Sequence, residues 1–204
     1  DFYQLVKKKE KISQNILLDL LEKNWQKEGY TSKKYEIEMM KRGKNYLTSY
    51  FEKEFNPNIK TLVVEQPFTA SISLDGRMIK IGGKIDRIDD LGKGKIEIID
   101  YKTGRIPTQR QVDTDLQLST YALAASEIDE PPFGRNVEDI KLSLYYFDSQ
   151  QKITTTRTTD QLLEKKKEIL GWVTKIETSD FRCSGNMLCN NCEYKMFCNV
   201  YNTQ

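Results

Sequence analysis

Histidine does not occur anywhere in these 204 residues. Its absence removes the side chain that most often serves as a general base near neutral pH, and the commonest nitrogen ligand for metals. Any metal bound here must therefore be held by oxygen or sulfur. Cysteine is missing before position 183; Cys183, Cys189, Cys192 and Cys198 all crowd into the C-terminal tail. A disulfide framework spread over the fold is thereby excluded. Long apolar runs are lacking as well. No stretch approaches the roughly 18 residues of a membrane span, and the N-terminus carries no signal-peptide pattern. No membrane partner is expected, and the default compartment is intracellular. Charge of one sign is not in excess: 32 basic and 30 acidic side chains leave a net +2. Bulk electrostatics do not demand a polyanionic partner, so basic residues must be judged by where they cluster. Neither an internal repeat nor a low-complexity linker interrupts the chain. What remains is one domain of ordinary size with room for a sizeable core. It opens on Asp1 and not on Met, and is expected to be a fragment of a longer protein.

Apolar residues Ile12, Ile16, Leu17, Leu20, Leu21 and Trp25 recur at helical spacing over 9–28, with Gly29 where a C-cap belongs. Thr31-Ser32 opens a second helix reaching about Phe55. Residues 61–74 read as a strand, and Pro67 inside it points to an edge or a bulge. Strands over 77–89 and 95–102 follow, then a helix over 111–126 and a strand from Ile140 to Phe147. A Thr-rich partner strand over 152–158 and a Lys-rich amphipathic helix over 159–178 complete the pattern. Pro131-Pro132 and Gly134 mark a surface loop. Such an order predicts an α/β fold with a mixed central sheet flanked by helices. The Lys7–Lys11 and Lys165–Lys167 charge runs read as solvated faces, and Trp25 and Trp172 as core anchors.

The densest signal lies between 82 and 104. Gly82-Gly83-Lys84-Ile85-Asp86-Arg87-Ile88-Asp89 and Lys95-Ile96-Glu97-Ile98-Ile99-Asp100-Tyr101-Lys102 flank a Gly-rich turn, a hairpin signal. With the turn centred on Lys93, Asp86 falls opposite Asp100. Strand side chains repeat every two residues, so Lys102 shares a face with Asp100, above an apolar floor of Ile88 and Ile98. Two facing carboxylates repel unless a cation lies between them, and oxygen-only ligation suits magnesium or manganese. In the tail, the spacing C-x5-C-x2-C-x5-C with no histidine implies a metal held by sulfur alone. Tetrahedral zinc and a four-cysteine iron–sulfur cluster both fit.

Three blocks in this order, Gly83-x-x-Asp86-Arg87-Ile88-Asp89, Ile99-Asp100-Tyr101-Lys102-Thr103-Gly104 and Gln117-x-x-x-Tyr121, resemble the RecB-like branch of the PD-(D/E)XK nuclease superfamily. The similarity extends more weakly from the Asn24–Gly29 segment to Cys198, and its N-terminal half resembles nuclease domains fused behind superfamily 1 helicases. The resemblance implies a restriction-endonuclease-like core and a metal-dependent DNA nuclease. It is expected to be part of a helicase–nuclease in DNA repair or recombination, acting on single-stranded DNA or duplex ends. It implies a single domain with a helical part over 1–57, a catalytic core over 58–180 and a cysteine-stapled tail over 181–204. Asp86, Asp100 and the Tyr101 carbonyl become expected ligands of Mg2+ or Mn2+, and Lys102 an expected stabiliser of the scissile phosphate. Gln117 and Tyr121, one helical turn apart, are placed over the site, with Arg105 and Arg110 near the helix start as DNA contacts. Glu65 matches an acidic position common in the family. The tail motif favours a [4Fe-4S] cluster on Cys189, Cys192, Cys198 and a fourth cysteine, which Cys183 can supply; zinc is the alternative. A cytoplasmic or nucleoid-associated location follows.

The sequence departs from the family in one respect. An upstream helix normally carries a histidine metal ligand, and this chain has none. Glu36 and Glu38 are conceivable substitutes but not favoured ones. The second reading is therefore a catalytically impaired DNA-binding or scaffolding module of the same fold, and the third a zinc-binding adaptor centred on the tail.

Overall fold

Two tight turns set the register of the sheet in this computed structural model, which describes residues 1–8, 10–181, 185 and 187–198. Asp75-Gly76 and Lys93-Gly94 each place consecutive residues at positive φ (50° and 76°, then 52° and 84°), the backbone of a two-residue hairpin loop. The first joins β1 (Lys60–Leu74) to β2 (Arg77–Gly92), and the second joins β2 to β3 (Lys95–Lys102). A shift in pairing between Asp90 and Gly92 absorbs Leu91 as a bulge. Beyond it the ladder runs Arg87↔Ile99 and Ile88↔Ile98, which carries Asp86 opposite Asp100 at the next step.

The chain then crosses over through α4 (Gln109–Asp113) and α5 (Leu116–Glu127) to β4 (Ile140–Tyr146), parallel to β3. The strand β5 (Gln151–Thr155) returns antiparallel, giving one five-stranded mixed sheet in the order β1-β2-β3-β4-β5. Pro67 accordingly lies in the edge strand β1, where a missing N–H costs little. The crossover is not the single helix expected over 111–126. Thr114 and Asp115 break it, because the Asp115 side chain accepts the Leu118 N–H at 2.8 Å and starts a new helix. Thr108 and Gln111 form a capping box on the short first piece.

Before the sheet come α1 (Phe2–Lys7), α2 (Gln14–Lys23) and α3 (Lys33–Lys53). The helix expected over 9–28 is thus shorter. Ser13 caps its start and Asn24 its end, the latter with its side-chain amide on the Leu20 carbonyl at 2.8 Å. Gly29 adopts a left-handed φ of 88° in the following loop and does not cap the helix. Phe2, Leu17 and Tyr50 pack with Ile99 and Tyr145 on one face of the sheet. The small, buried stripe of α5, with Ala122, Ala124 and Ala125, lies on the opposite side, against β1 and β4. Ile88 and Ile98 are both fully buried, each contributing on the order of 1.5–3 kcal/mol by burial.

The chain forms two compact units, 1–166 and 167–204; α6 (Thr159–Thr178) begins in the first and ends in the second. In the second, short 3-10 turns cover Met187–Asn191 and Lys195–Phe197. Among the described residues no helix is long and apolar enough to cross a membrane.

Candidate active site

Alternation along β3 sends Ile98, Asp100 and Lys102 toward α5, while Ile99 and Tyr101 face α3. Asp100 is 3 % exposed. Its Oδ1 accepts hydrogen bonds from Gln117 Nε2 at 3.1 Å and from the Tyr121 hydroxyl at 3.0 Å. Its Oδ2 is ion-paired with Lys102 Nζ at 2.6 Å and makes no other hydrogen bond. Gln117 Oε1 in turn accepts from Lys102 Nζ at 2.8 Å. One amide thus holds both the carboxylate and the ammonium. The Tyr121 hydroxyl also accepts from Gln117 Nε2 at 2.7 Å, and its one proton is shared between Asp100 and the Lys84 carbonyl at 3.1 Å. Burial raises the Tyr121 pKa, and the Asp100 charge raises it further, so the hydroxyl stays a neutral donor.

Asp86 completes the pair from β2. Its Oδ2 accepts the Tyr101 N–H at 2.9 Å. Burial pushes its carboxyl above the ordinary value, and the charges of Asp100 and Glu65 push the same way. The Tyr101 N–H and Lys102 pull only part of that back. A carboxylate disfavoured by burial and by like charge gains most from a nearby cation.

The glycine of the G-x-x-D block has a steric cause. A Cβ at Gly83 would come within 3.0 Å of the Phe68 ring, and Phe68 is buried edge-on against Tyr121, with ring centroids 6.1 Å apart. Gly83 therefore leaves the room that seats Phe68, and through it Tyr121. Glu65 pairs with Lys84 and holds a positive φ of 53° on the strand beside Asp86.

Sequence reasoning missed the other half of the D-R-I-D block. Arg87 and Asp89 point to the α3 face and form a buried ion pair, 5 % and 0 % exposed. Arg87 Nε lies 2.9 Å from both Asp89 oxygens, and Thr61 donates its hydroxyl to Asp89 at 2.8 Å. Arg87 also donates to the Tyr50 and Tyr101 hydroxyls at 2.9 and 2.7 Å, with its guanidinium 4.0 Å over the Tyr3 ring. Burial pulls the Arg87 pKa down, but Asp89 together with Tyr101, Tyr50 and Tyr3 outweighs it and leaves the pKa raised. The signal was present: opposite charges at i and i+2 on a strand share one face.

Arg105 and Arg110 are exposed, in the loop after β3 and in α4. The expected helix N-terminus beside them is that of a five-residue helix whose capping box already engages Thr108 and Gln111. Glu36 is occupied by Lys33 at 2.7 Å, on α3. Trp25 is not a closed core anchor; it stacks on Tyr30 beside an open cleft. Trp172 is 37 % exposed.

Among the described residues no three His, Cys, Asp or Glu side chains gather around a common point. The two carboxylates nevertheless fit a hard divalent cation. Magnesium is commonly held by one or two carboxylates with waters filling the remaining positions, and Asp100 Oδ2, bound only by the Lys102 ammonium, has a lone pair to offer. In the tail, Cys192 N–H bonds the Cys189 carbonyl at 3.2 Å across the C-x-x-C turn, and Cys198 follows the next turn. Cys183 lies outside the described residues.

Residues 1–199 match the family described as the PD-(D/E)XK nuclease superfamily. The chain belongs to that superfamily. One relative is a subunit of the ATP-dependent helicase/deoxyribonuclease of Carboxydothermus hydrogenoformans, 37 % identical over 47 % of this chain and 9 % of that protein. Another is an uncharacterized protein of Rickettsia conorii, 33 % identical over 43 % of this chain and 10 % of its own length. This PD-(D/E)XK chain therefore spans about a tenth of the curated relatives it matches. A crystal structure from Eubacterium rectale, provisionally named an exonuclease, aligns at 12 % identity with a TM-score of 0.46, over 89 % of this chain and 75 % of that one.

Proposed function

We propose that this chain is a metal-dependent DNA nuclease domain that hydrolyses phosphodiester bonds. The observation that carries the reading is the cluster around buried Asp100: one oxygen takes Gln117 and Tyr121, the other is ion-paired with Lys102, and Asp86 stands opposite on β2. Asp86, Asp100 and the Tyr101 carbonyl would hold Mg2+ or Mn2+. When bound, such a cation supplies Lewis acidity and charge neutralisation for the scissile phosphate.

The chain's own groups do the rest. Lys102 places an ammonium next to the reacting phosphate, where a fixed positive charge in a partly desolvated site stabilises developing negative charge. Gln117 bridges Lys102 and Asp100 and so fixes both side chains. Tyr121 holds Asp100 against rotation and ties it to the Lys84 carbonyl. Water adds to phosphorus, the P–O bond to the leaving nucleotide breaks, and the two products carry a phosphate and a hydroxyl. No covalent enzyme intermediate is needed. Arg105 and Arg110, exposed beyond the end of β3, would contact backbone phosphates.

The relative's name, a helicase/deoxyribonuclease subunit, supports a helicase partner; a place in DNA repair or recombination inside the cell is read from the sequence resemblance alone. The domain is read as one nuclease unit with a cysteine tail whose spacing supports a [4Fe-4S] cluster, with zinc as the alternative. The total absence of histidine favours one second reading, a DNA-binding module of the same fold with impaired turnover. Cleavage of end-labelled DNA with Mn2+, Mg2+ or EDTA, beside Asp100→Asn and Lys102→Ala, separates the two. Metal-dependent cutting lost in both variants supports the nuclease. Binding without cutting under every condition selects the impaired module.

A further inference from the structure

Among the described residues two arginines are buried, and only one of them has a counter-ion. Arg87 pairs with Asp89, whereas Arg157, 4 % exposed in the segment between β5 and α6, bonds to no carboxylate. All five of its N–H donors are nevertheless used. Nε donates to Ser119 Oγ at 2.9 Å. One terminal nitrogen donates to Thr155 Oγ1 at 3.1 Å and to the Thr156 carbonyl at 2.9 Å, and the other to the Val112 and Asp115 carbonyls at 3.0 and 3.2 Å. Burial lowers the Arg157 pKa, and the charges of Asp115 and Asp113 offset only part of that. A buried cation held by neutral oxygens alone is costly. A neutral side chain would fill the same place at less cost unless the fork itself were needed.

What the fork grips is the break in the crossover. Val112 lies in α4, and Asp115 is the residue that caps α5. Ser119 ties the same point from within α5: its hydroxyl donates to the Asp115 carbonyl at 2.7 Å and its N–H to the same oxygen at 3.1 Å. One guanidinium thus joins the end of α4, the cap of α5 and the first turn of α5. Gln117 is the second residue of that turn, and its amide holds Asp100 and Lys102. A slip of the helix start by one residue would turn Gln117 about 100° around the helix axis, away from both.

We propose that Arg157 is a positioning residue for cleavage: by clamping the break between α4 and α5 it fixes where α5 starts, and so aims Gln117 at the Asp100–Lys102 pair. The inference rests on the nuclease reading above and names a residue that assembles that site from outside it. Arg157 acts only through α5, since it hydrogen-bonds to neither Asp100 nor Lys102. Lysine cannot take its place, because an ammonium lacks the planar fork that spans these acceptors. A solvent-open cavity of about 320 Å³, lined in part by Arg157, Ser119, Asp113 and Gln161, reaches the guanidinium. Truncation of Arg157 would therefore leave a place that a free guanidinium ion can enter and fill.

The test compares the wild-type chain with Arg157→Ala, Arg157→Lys, Gln117→Leu and the double variant Arg157→Ala, Gln117→Leu in single-turnover cleavage of end-labelled DNA with Mn2+. Urea unfolding gives the folded fraction of each, and rates are taken per folded molecule, so a loss of stability does not pass for a loss of chemistry. Arg157→Ala and Arg157→Lys should each cut about 10- to 100-fold more slowly, the effect of a misplaced site. The double variant should cut no more slowly than Gln117→Leu, because both changes act on one step. Guanidinium chloride at millimolar concentration, well below denaturing levels, should restore most of the Arg157→Ala rate. Equal sodium chloride should not, and neither salt should help the double variant. The Gln117 side-chain amide, assigned by its loss in Gln117→Leu, should shift in the nitrogen–proton NMR spectrum of Arg157→Ala and return with guanidinium. Where Arg157→Ala does not fold, Arg157→Lys with and without Gln117→Leu carries the same comparison. An Arg157 variant that cuts within about 2-fold of wild type, or that loses the same factor with and without Gln117, overturns the positioning role and leaves the nuclease intact. A wild-type chain that cuts under no condition overturns both.

Discussion

Replacing Asp89 by Asn should unfold this domain more easily than any change at the surface, although Asp89 touches no part of the proposed cleavage site. Asp89 is fully buried and receives Arg87 through Nε at 2.9 Å to each oxygen. Asn keeps the shape and one acceptor for Thr61 but removes the charge, leaving the Arg87 guanidinium in the interior without its counter-ion. Breaking one partner of a buried pair costs about 3–5 kcal/mol, a large share of the roughly 5–15 kcal/mol that a domain has in total. With a urea m-value of about 2 kcal/mol/M, the midpoint should fall by about 1.5–2.5 M. The double variant Arg87→Met, Asp89→Leu removes both charges together and should recover at least half of that loss, because no lone charge is left buried. Equilibrium urea unfolding followed by circular dichroism measures all three proteins. A midpoint shift below about 0.5 M for Asp89→Asn, or a double variant less stable than the single, would refute the reasoning that the pair is held by mutual need.

Gln117→Leu should keep the fold and lower single-turnover cleavage by about 10- to 100-fold, the worth of one or two charge-assisted hydrogen bonds lost from Asp100 and Lys102. Gly83→Ala should weaken single-turnover cleavage as well, by pushing the Phe68 ring against its seat on Tyr121, and an unchanged rate would count against that role for the glycine. Burial alone would raise the Glu97 carboxyl, but the Ser143 hydroxyl and the ammonium groups of Lys152 and Lys141 outweigh it and leave its pKa below the ordinary value. Its stabilisation is therefore complete above the unfolded pKa of about 4.3 and lost as pH falls through the lower folded value. Glu97→Gln should flatten the melting temperature against pH in that acid range, and an unchanged slope would count against the assignment. A purified chain carrying the proposed cluster should absorb visible light and lose that absorption with iron in Cys192→Ser, whereas a colourless protein holding zinc would favour the alternative.

The strands were the most legible part of the chain, because period-two patterns and left-handed turn residues act locally. Lys93-Gly94 fixed the hairpin, and the Leu91 bulge compensated for a turn centred between Lys93 and Gly94 and not on Lys93, so the Asp86–Asp100 register survived. Gln117 and Tyr121 could be seen only as two residues on one helical face; spacing alone gave no reason to prefer a site over a polar edge. The six-residue α1 is too short to show periodicity. The division of the crossover helix depended on whether Asp115 would cap or continue, a competition that apolar spacing does not register. Trp25 was assigned to a helix that the Asn24 side chain ends one residue earlier. Displaced beyond that end, it turns toward Tyr30 and the cleft.

The arrangement of β3 explains why a costly pair of carboxylates can persist. Tyr101 lies between Asp100 and Lys102, and its peptide N–H is bound by Asp86 while its side chain is held on the far face by Arg87 and Tyr50. The buried arginine network therefore anchors the same residue whose backbone positions the acidic pair. Asp86 and Asp100 cannot move apart to relieve their repulsion unless Tyr101 moves, and moving Tyr101 breaks two hydrogen bonds to its hydroxyl. The strain stays at the carboxylates, one raised in pKa by burial and like charge and the other buried with only the Lys102 ammonium on its second oxygen. A cation is the group that relieves both at once. On this reasoning Tyr101→Phe, which removes only the distal hydroxyl, should weaken Mn2+ binding measured by calorimetry without touching a ligand. Equal affinity in the two proteins would show that the sheet alone holds the acids in place.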